Sequence, residues 1–287
     1  MTDPCVLLAA YIITFLIGLP TNILAMYAFI MKLTKKPTPT DILLLNLTLS
    51  DLLFLVFLPL KIYEAASGMN WYLSHHVCAI MCYVFFTTIY VSSLLLMAIS
   101  IDRYLGVAFP VTYRKFRKIL YAIIGSIFIW LFSGAHCTVV LNIIYMKDPT
   151  NITTCYKNFT SQQKSVLFAM RLEFFVILFL VPLAICVFCY LNCIWILYHK
   201  PRITMEEKQR AIGMALGTLI VYLICFLPFN ISHLVSFITK ESPEWRNYTL
   251  LLSSFNACLD PIIFYFSSTM FRNTTKMTLC KIFANKH

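Results

Sequence analysis

Ile101-Asp102-Arg103-Tyr104 closes an apolar stretch that begins at Val77 and is long enough to cross a bilayer. A basic loop follows it, with Arg114, Lys115, Arg117 and Lys118. An acid–Arg–Tyr group at the mouth of a membrane helix is a switch arrangement. Arg103 can pair with Asp102 at rest, or extend toward a partner when neighbouring helices move. The three letters alone would say little; their place at the end of a span, beside a basic loop, gives them weight.

Working outward, the chain has 287 residues, of which 60% are hydrophobic and only 12% charged, a balance foreign to soluble domains. Spanning a bilayer takes about 20 apolar residues per helix. Seven segments qualify: 6–31, 42–66, 77–105, 119–145, 166–197, 209–238 and 248–270. The expected fold is all-α, a seven-helix membrane bundle over residues 1–270. A short amphipathic cytoplasmic helix and tail, 271–287, completes it. The loops leave no room for a soluble catalytic domain, and no internal repeat of the transporter kind is visible. Of the 23 Lys and Arg residues, 16 fall on the side of Arg103 and seven on the other. Positive-inside bias then places the N-terminus outside and the C-terminus in the cytoplasm of a multi-pass protein of the cell membrane. The net charge of +11 thus reflects topology and anionic membrane lipid, and nucleic acid is not needed as a partner.

Cysteine position carries information where cysteine number does not. Most of the 11 are small apolar packing residues. Cys78 at the outer start of the third span and Cys155 in the loop before the fifth both face the oxidising side, so a disulfide is expected between them. Cys280 lies in the basic, amphipathic tail, where palmitoylation and a plain buried thiol are both open. Asn151 and Asn158 open outer-loop sequons, Asn-Ile-Thr and Asn-Phe-Thr, and are candidate glycosylation sites.

Ionisable groups within spans mark function by default. Asp51 and Asp260 have polar company in Asn22, Ser92 and Asn256, a set of oxygens suited to Na⁺. A water-filled hydrogen-bond network is the alternative. Pro182, Pro228 and Pro261 interrupt spans and provide hinges, and Tyr190, two turns inward of Pro182, can reach toward Arg103.

Asn22, Asp51, Asp102-Arg103-Tyr104, Trp130, Pro182, Pro228 and Asp260-Pro261 fall one group per span, and in that order the chain resembles rhodopsin-like G-protein-coupled receptors over essentially its whole length. The resemblance implies that an agonist bound on the outer side tilts the sixth helix and opens a cytoplasmic cleft for a heterotrimeric G protein. The seventh span holds no Lys, which excludes a retinal Schiff base. Some related receptors tie the Arg of the tripeptide to an acid on the sixth helix. Lys208 occupies that place here, so the latch is expected to rest on Asp102 alone.

Two basic residues stand where lipid-facing ones would be untenable: Arg171 near the outer end of the fifth span, and Arg246 opening the seventh. His233 lies outward of Pro228, and His136 is in the outer half of the fourth span. An Arg fork matches a carboxylate bidentately, and two of them with a His make an anion trap. The bland readings are an internal ion pair for Arg171, neutralisation of Arg246 by Glu241 or Glu244, and a satisfied core position for His233. Glu173, two residues from Arg171, does not share its helix face. His136 either touches the ligand or supports a residue that does.

The stretches Arg171-Leu172-Glu173, Cys225 to His233, Glu244-Trp245-Arg246, Tyr104 to Pro110 and Asp260 to Ser268 are similar to the free fatty-acid receptors. His233 and His136-Cys137 resemble the short-chain branch, types two and three. The resemblance implies that the two Arg and the His bind the carboxylate of acetate, propionate or butyrate. It also implies coupling to the inhibitory G protein, and in type two to Gq; arrestin is a further candidate partner. Leu227 and Phe229 stand where the family usually has Gly and Tyr, and Lys157 where type two has an acid. Phe86, with Phe174 and Phe175 one turn inward of Arg171, is expected to floor the pocket and stop the ligand chain after a few carbons. The competing ligands are other small anions: hydroxycarboxylates, dicarboxylates or nucleotides. An anion transporter lacks its repeat, and an enzyme lacks any nucleophile–base pairing or metal spacing that survives the topology.

Overall fold

The computed structural model describes residues 3–116, 118–146, 154–157, 159–200 and 204–267. Among the described residues, ten helices and two wider-wound segments build the seven spans, and an eleventh helix lies outside them. The first four spans are α1 (Pro4–Leu33), α2 (Pro39–Ala66), α3 (His75–Ala108) and α5 (Ile119–Tyr145), with the short α4 (Pro110–Phe116) on the cytoplasmic side. The fifth joins α6 (Ser161–Glu173) to α7 (Val181–His199), and the sixth joins α8 (Met205–Val221) to α9 (Leu227–Thr239). The seventh is α10 (Arg246–Ser254) and α11 (Asn256–Ser267). Asn151, Asn158 and Cys280, like the whole of the expected tail helix at 271–287, lie outside the described residues.

Polar caps set where the spans begin. Thr38 accepts from the Asp41 backbone N–H while the Asp41 carboxylate accepts from the Thr38 backbone, and Pro39 fills the first helical turn. The other Asp41 oxygen takes Lys32 Nζ at 2.6 Å, tying the end of α1 to the start of α2. Thr160 and Gln163 form the same reciprocal cap on α6.

Burial orders the bundle. In the most apolar stretch of α3, 78% of residues are buried, against 28% in α1, so α3 is the central post. On the rim, Leu16, Val56, Leu131 and Trp195 are each 64–69% exposed. Such a surface would be unfavourable in water and suits acyl chains.

Prolines shape the fifth and sixth spans through their missing N–H. Immediately before Pro182 and Pro228 the ladder widens to i→i+5 over Phe174–Leu180 and Tyr222–Phe226. There the N–H of Val181 reaches Val176 O, and that of Leu227 reaches Tyr222 O. Carbonyls left without a helical donor are met from across the bundle. The Leu178 carbonyl accepts from Ser93 Oγ (3.1 Å), and the Ala257 carbonyl, opposite Pro261, accepts from Asn22 Nδ2 (2.7 Å).

The seventh span, expected over 248–270 with its interruption at Pro261, breaks earlier, at Phe255, and α11 runs through Pro261. Thr249, Ser253 and Ser254 each turn a hydroxyl back onto a backbone carbonyl of their own helix. Such back-bonding bends helices, and Ser253 also donates to Cys225 O on the sixth span at 2.9 Å. The kink therefore sits above Pro261.

Candidate ligand-binding site

A cavity of about 800 Å³ opens at the outer end of the bundle. Arg171 and Arg246 both line it, as do Phe85 and Phe86 of α3 and Tyr156 and Lys157 of the loop after the fourth span. The loop is pinned over the cavity by the disulfide Cys78–Cys155, with Cα atoms 5.6 Å apart.

Arg171 is 1% exposed. Its Nη1 donates to Ser242 Oγ at 2.7 Å, while Nε is buried without a partner. Arg246 donates from Nη1 to Ser232 Oγ at 2.9 Å, and the same nitrogen faces His233 Nδ1 at 3.4 Å. Its guanidinium lies over the Phe229 ring, 4.7 Å from the centroid. Among the described residues no carboxylate pairs with either arginine. Lys61 differs, since Glu64 takes its ammonium at 2.7 Å. Two buried guanidinia held by neutral hydroxyls, with no counter-charge, favour an anion between them.

His233 stands behind Arg246 and is absent from the cavity lining. With Nδ1 accepting from Arg246, Nε2 carries the proton and donates to the Tyr90 hydroxyl at 3.1 Å. His136 is also outside the lining. Its Nδ1 donates to Phe132 O at 2.9 Å, and its Nε2 meets Glu173 at 3.1 Å, across the seam of α5 and α6. Glu173 thus turns away from Arg171, as two-residue spacing on a helix requires.

The expected aromatic floor needs correction. Phe86 stacks on Phe229 with centroids 6.1 Å apart, and Phe85 lies beside it in the lining. Phe174 packs lower, under Tyr90 at 5.0 Å, and Phe175 turns to Phe179 at 5.9 Å. The floor comes from the third span.

Ser232, Ser242, Tyr90 and Tyr156 belong to the site and were not singled out by the sequence. Tyr90 follows Phe86 by four residues and so shares its face, which was the available signal. Tyr156 packs on Phe86 at 5.3 Å. It keeps part of its surface open while its hydroxyl is buried; burial pushes that phenol up to about 12, against the opposing pull of Arg171 and Arg246.

Deeper in the bundle, Asn256 Nδ2 donates to Asp51 Oδ1 at 3.4 Å. Asp51 Oδ2, both Asp260 oxygens, Asn256 Oδ1 and Asn22 Oδ1 are buried without hydrogen-bond partners. Ser92 donates to Ser50, which donates to Thr88 O. A cavity of about 10 Å³ beside Asp51, Ser92 and Asn256 has room for one water-sized occupant. Oxygen donors with unmet lone pairs suit a small hard cation.

At the cytoplasmic end, the expected Asp102–Arg103 pair is not formed. Asp102 accepts from the hydroxyls of Thr40 and Tyr113, and Arg103 Nε is buried without a partner. Two hydroxyls satisfy the carboxylate, which leaves no reason for it to reach its neighbour. Tyr104 packs on Phe188 at 5.8 Å, and Tyr190 donates to Thr218 Oγ1 at 3.2 Å, a link from the fifth span to the sixth in place of one to Arg103.

Comparison with known proteins agrees with this architecture. Residues 21–264 match the model of the 7 transmembrane receptor (rhodopsin family). The chain is 43% identical over 268 residues to free fatty acid receptor 3 of Mus musculus, covering 92% of this chain and 83% of that one. It is 46% identical over 272 residues to free fatty acid receptor 2 of Homo sapiens, covering 93% of this chain and 82% of that one. Free fatty acid receptor 3 of Homo sapiens is 44% identical over 268 residues, with 92% and 77% covered. A receptor of this kind works through a heterotrimeric G protein and carries out no catalysis. Six long apolar spans among the described residues with a broken seventh, a basic cavity under a disulfide-pinned loop and this degree of identity lead to one conclusion: the chain is a multi-pass plasma-membrane receptor of the rhodopsin family and belongs to the free fatty acid receptors, alongside types two and three.

Proposed function

We propose that this receptor senses short-chain carboxylates, namely acetate, propionate and butyrate, and holds their carboxylate between Arg171 and Arg246. The observation that carries the reading is the pair of buried guanidinia with no carboxylate of their own among the described residues. The bound anion supplies the missing counter-charge. His233 holds the Arg246 fork rather than meeting the ligand, and Phe85 and Phe86, the latter stacked on Phe229 behind it, limit the chain. The names of the similar proteins support a fatty-acid ligand.

Binding draws α6 and α10 toward one carboxylate, and the fifth and sixth spans are soft where their ladders widen. The outer shift passes through those hinges and moves α8 relative to α7, where Tyr190 and Thr218 meet. Arg103, not tied to Asp102, is then available to the inhibitory G protein, and to Gq in the manner of type two; arrestin is a second partner on this face. Na⁺ held by Asp51, Ser92, Asn256 and Asp260 supports the resting state and leaves when the spans close. Glycans on Asn151 and Asn158 and a palmitoyl group on Cys280 complete the reading.

A second reading keeps the arginines and enlarges the ligand. A cavity of about 800 Å³ is in the range that holds drug-sized molecules, and Lys157 and Lys164 add cationic lining beyond the arginine pair. A hydroxycarboxylate or dicarboxylate would use that space. The test is G-protein activation by propionate, its neutral isostere propionamide, and matched dicarboxylates. Propionate alone should activate. Equal activation by propionamide removes the anion site, and a more potent dicarboxylate transfers the assignment to the second reading.

A further inference from the structure

The disulfide over the ligand cavity has a third cysteine beside it. Cys78 and Cys82 are one turn apart on the same face of α3. The Cys82 thiol lies 3.6 Å from the Cys155 sulfur, and the three sulfurs fall within 4.8 Å of one another. Cys82 stands outside the disulfide and lines the cavity, and it is buried like the bonded Cys78.

We propose that Cys82 is a built-in exchange partner of this disulfide, so that the loop can be pinned by either Cys78–Cys155 or Cys82–Cys155. The step is balanced within the chain. Cys82 gives up its proton and its thiolate attacks Cys155 Sγ. The Cys82–Cys155 bond forms as the Cys78–Cys155 bond breaks, and Cys78 leaves as a thiolate that takes a proton. One disulfide and one thiol are present before and after, so no oxidant or reductant is consumed.

The exchange moves the anchor by four helical residues, about 6 Å along α3 at 1.5 Å per residue. Tyr156 and Lys157 follow the anchor, since they come next in the chain and line the cavity. The ring of Tyr156, now against Phe86 and Phe159, would be drawn down over the arginines. The second disulfide is therefore a closed-roof form with weakened access for ligand. This inference is independent of which anion the receptor prefers.

The test is disulfide mapping of the intact wild-type receptor in membranes. The sample is held at mildly alkaline pH, quenched with acid, alkylated and digested without reduction. The expected result is a Cys82–Cys155 peptide at about one tenth or more of the Cys78–Cys155 peptide, with a matching amount of alkylated Cys78. Finding Cys155 joined only to Cys78, with Cys82 always alkylated, overturns the proposal. Cys78→Ala gives a second measurement: Cys155 should be recovered bound to Cys82, and adding Cys82→Ser should free it. Recovery of Cys155 as a free thiol in Cys78→Ala also overturns the proposal. If that variant does not reach the surface, the wild-type map decides alone.

Discussion

Replacing Arg171 by Ala separates the two things this side chain does. In the ligand-free protein its charge is buried against Ser242 and a phenylalanine face, with no carboxylate partner among the described residues and with Nε unsatisfied. Removing an uncompensated buried charge is neutral or stabilising, so the unfolding temperature without ligand should hold or rise. With a carboxylate bound, the same change removes one arm of a charge-assisted grip. Truncating one partner of such a contact typically costs about 2–4 kcal/mol, which is roughly 30-fold or more in potency. Arg171→Lys should fail nearly as badly, because a single ammonium cannot serve Ser242 and a carboxylate together as a fork does. Ser242→Ala removes one supporting bond worth about 1 kcal/mol, a loss of roughly fivefold. The assay is propionate-driven G-protein activation at matched surface density, paired with thermal unfolding with and without propionate. Normal propionate potency in Arg171→Ala would refute the reasoning, as would a large loss of ligand-free stability, which would make the residue a structural strut.

Two further outcomes follow from the inner clusters. Sodium should lower agonist affinity through the unmet oxygens of Asp51 and Asp260, and Asp51→Asn should abolish the effect. Couplings of this kind are typically about 5- to 150-fold, and linkage requires agonist to weaken sodium equally; sodium sensitivity that survives in Asp51→Asn contradicts the cation site. Tyr113→Phe removes one of the two hydroxyls that occupy Asp102, which returns the carboxylate to Arg103. Agonist-free signalling should drop severalfold, given about 1.5–3 kcal/mol for a bond to a charged group, and an unchanged or higher basal signal in that variant counts against the latch described here.

The fold was legible because a bilayer imposes long apolar runs and sorts Lys and Arg between its two sides. Each of the first six spans announced itself that way. The break at Phe255 did not, since its cause is three hydroxyls turned onto their own helix, and hydroxyl-bearing residues are unremarkable in any span. Prolines 182 and 228 signalled kinks; the widened ladders before them depend on how the carbonyls find donors across the bundle. In the site, Arg171 and Arg246 stood out because charge in a span is expensive. Ser232, Ser242 and Tyr90 did not, because neutral polar groups are cheap enough to occur anywhere. His136 shows the limit of periodicity: spacing gives a helix face, but Glu173 on the neighbouring helix decides which way the ring turns.

The most direct test of the central claim is a chain-length series. Saturated carboxylates from two to eighteen carbons are compared at one pH, with G-protein activation as the readout. All are anions at neutral pH, so the arginines treat them alike and only the chain differs. Each buried CH₂ contributes about 0.8 kcal/mol until the wall of Phe85 and Phe86, backed by Phe229, is reached. Potency should rise from two carbons to about three to five and then fall. A receptor that answers palmitate better than propionate would contradict both the aromatic wall and the short-chain assignment.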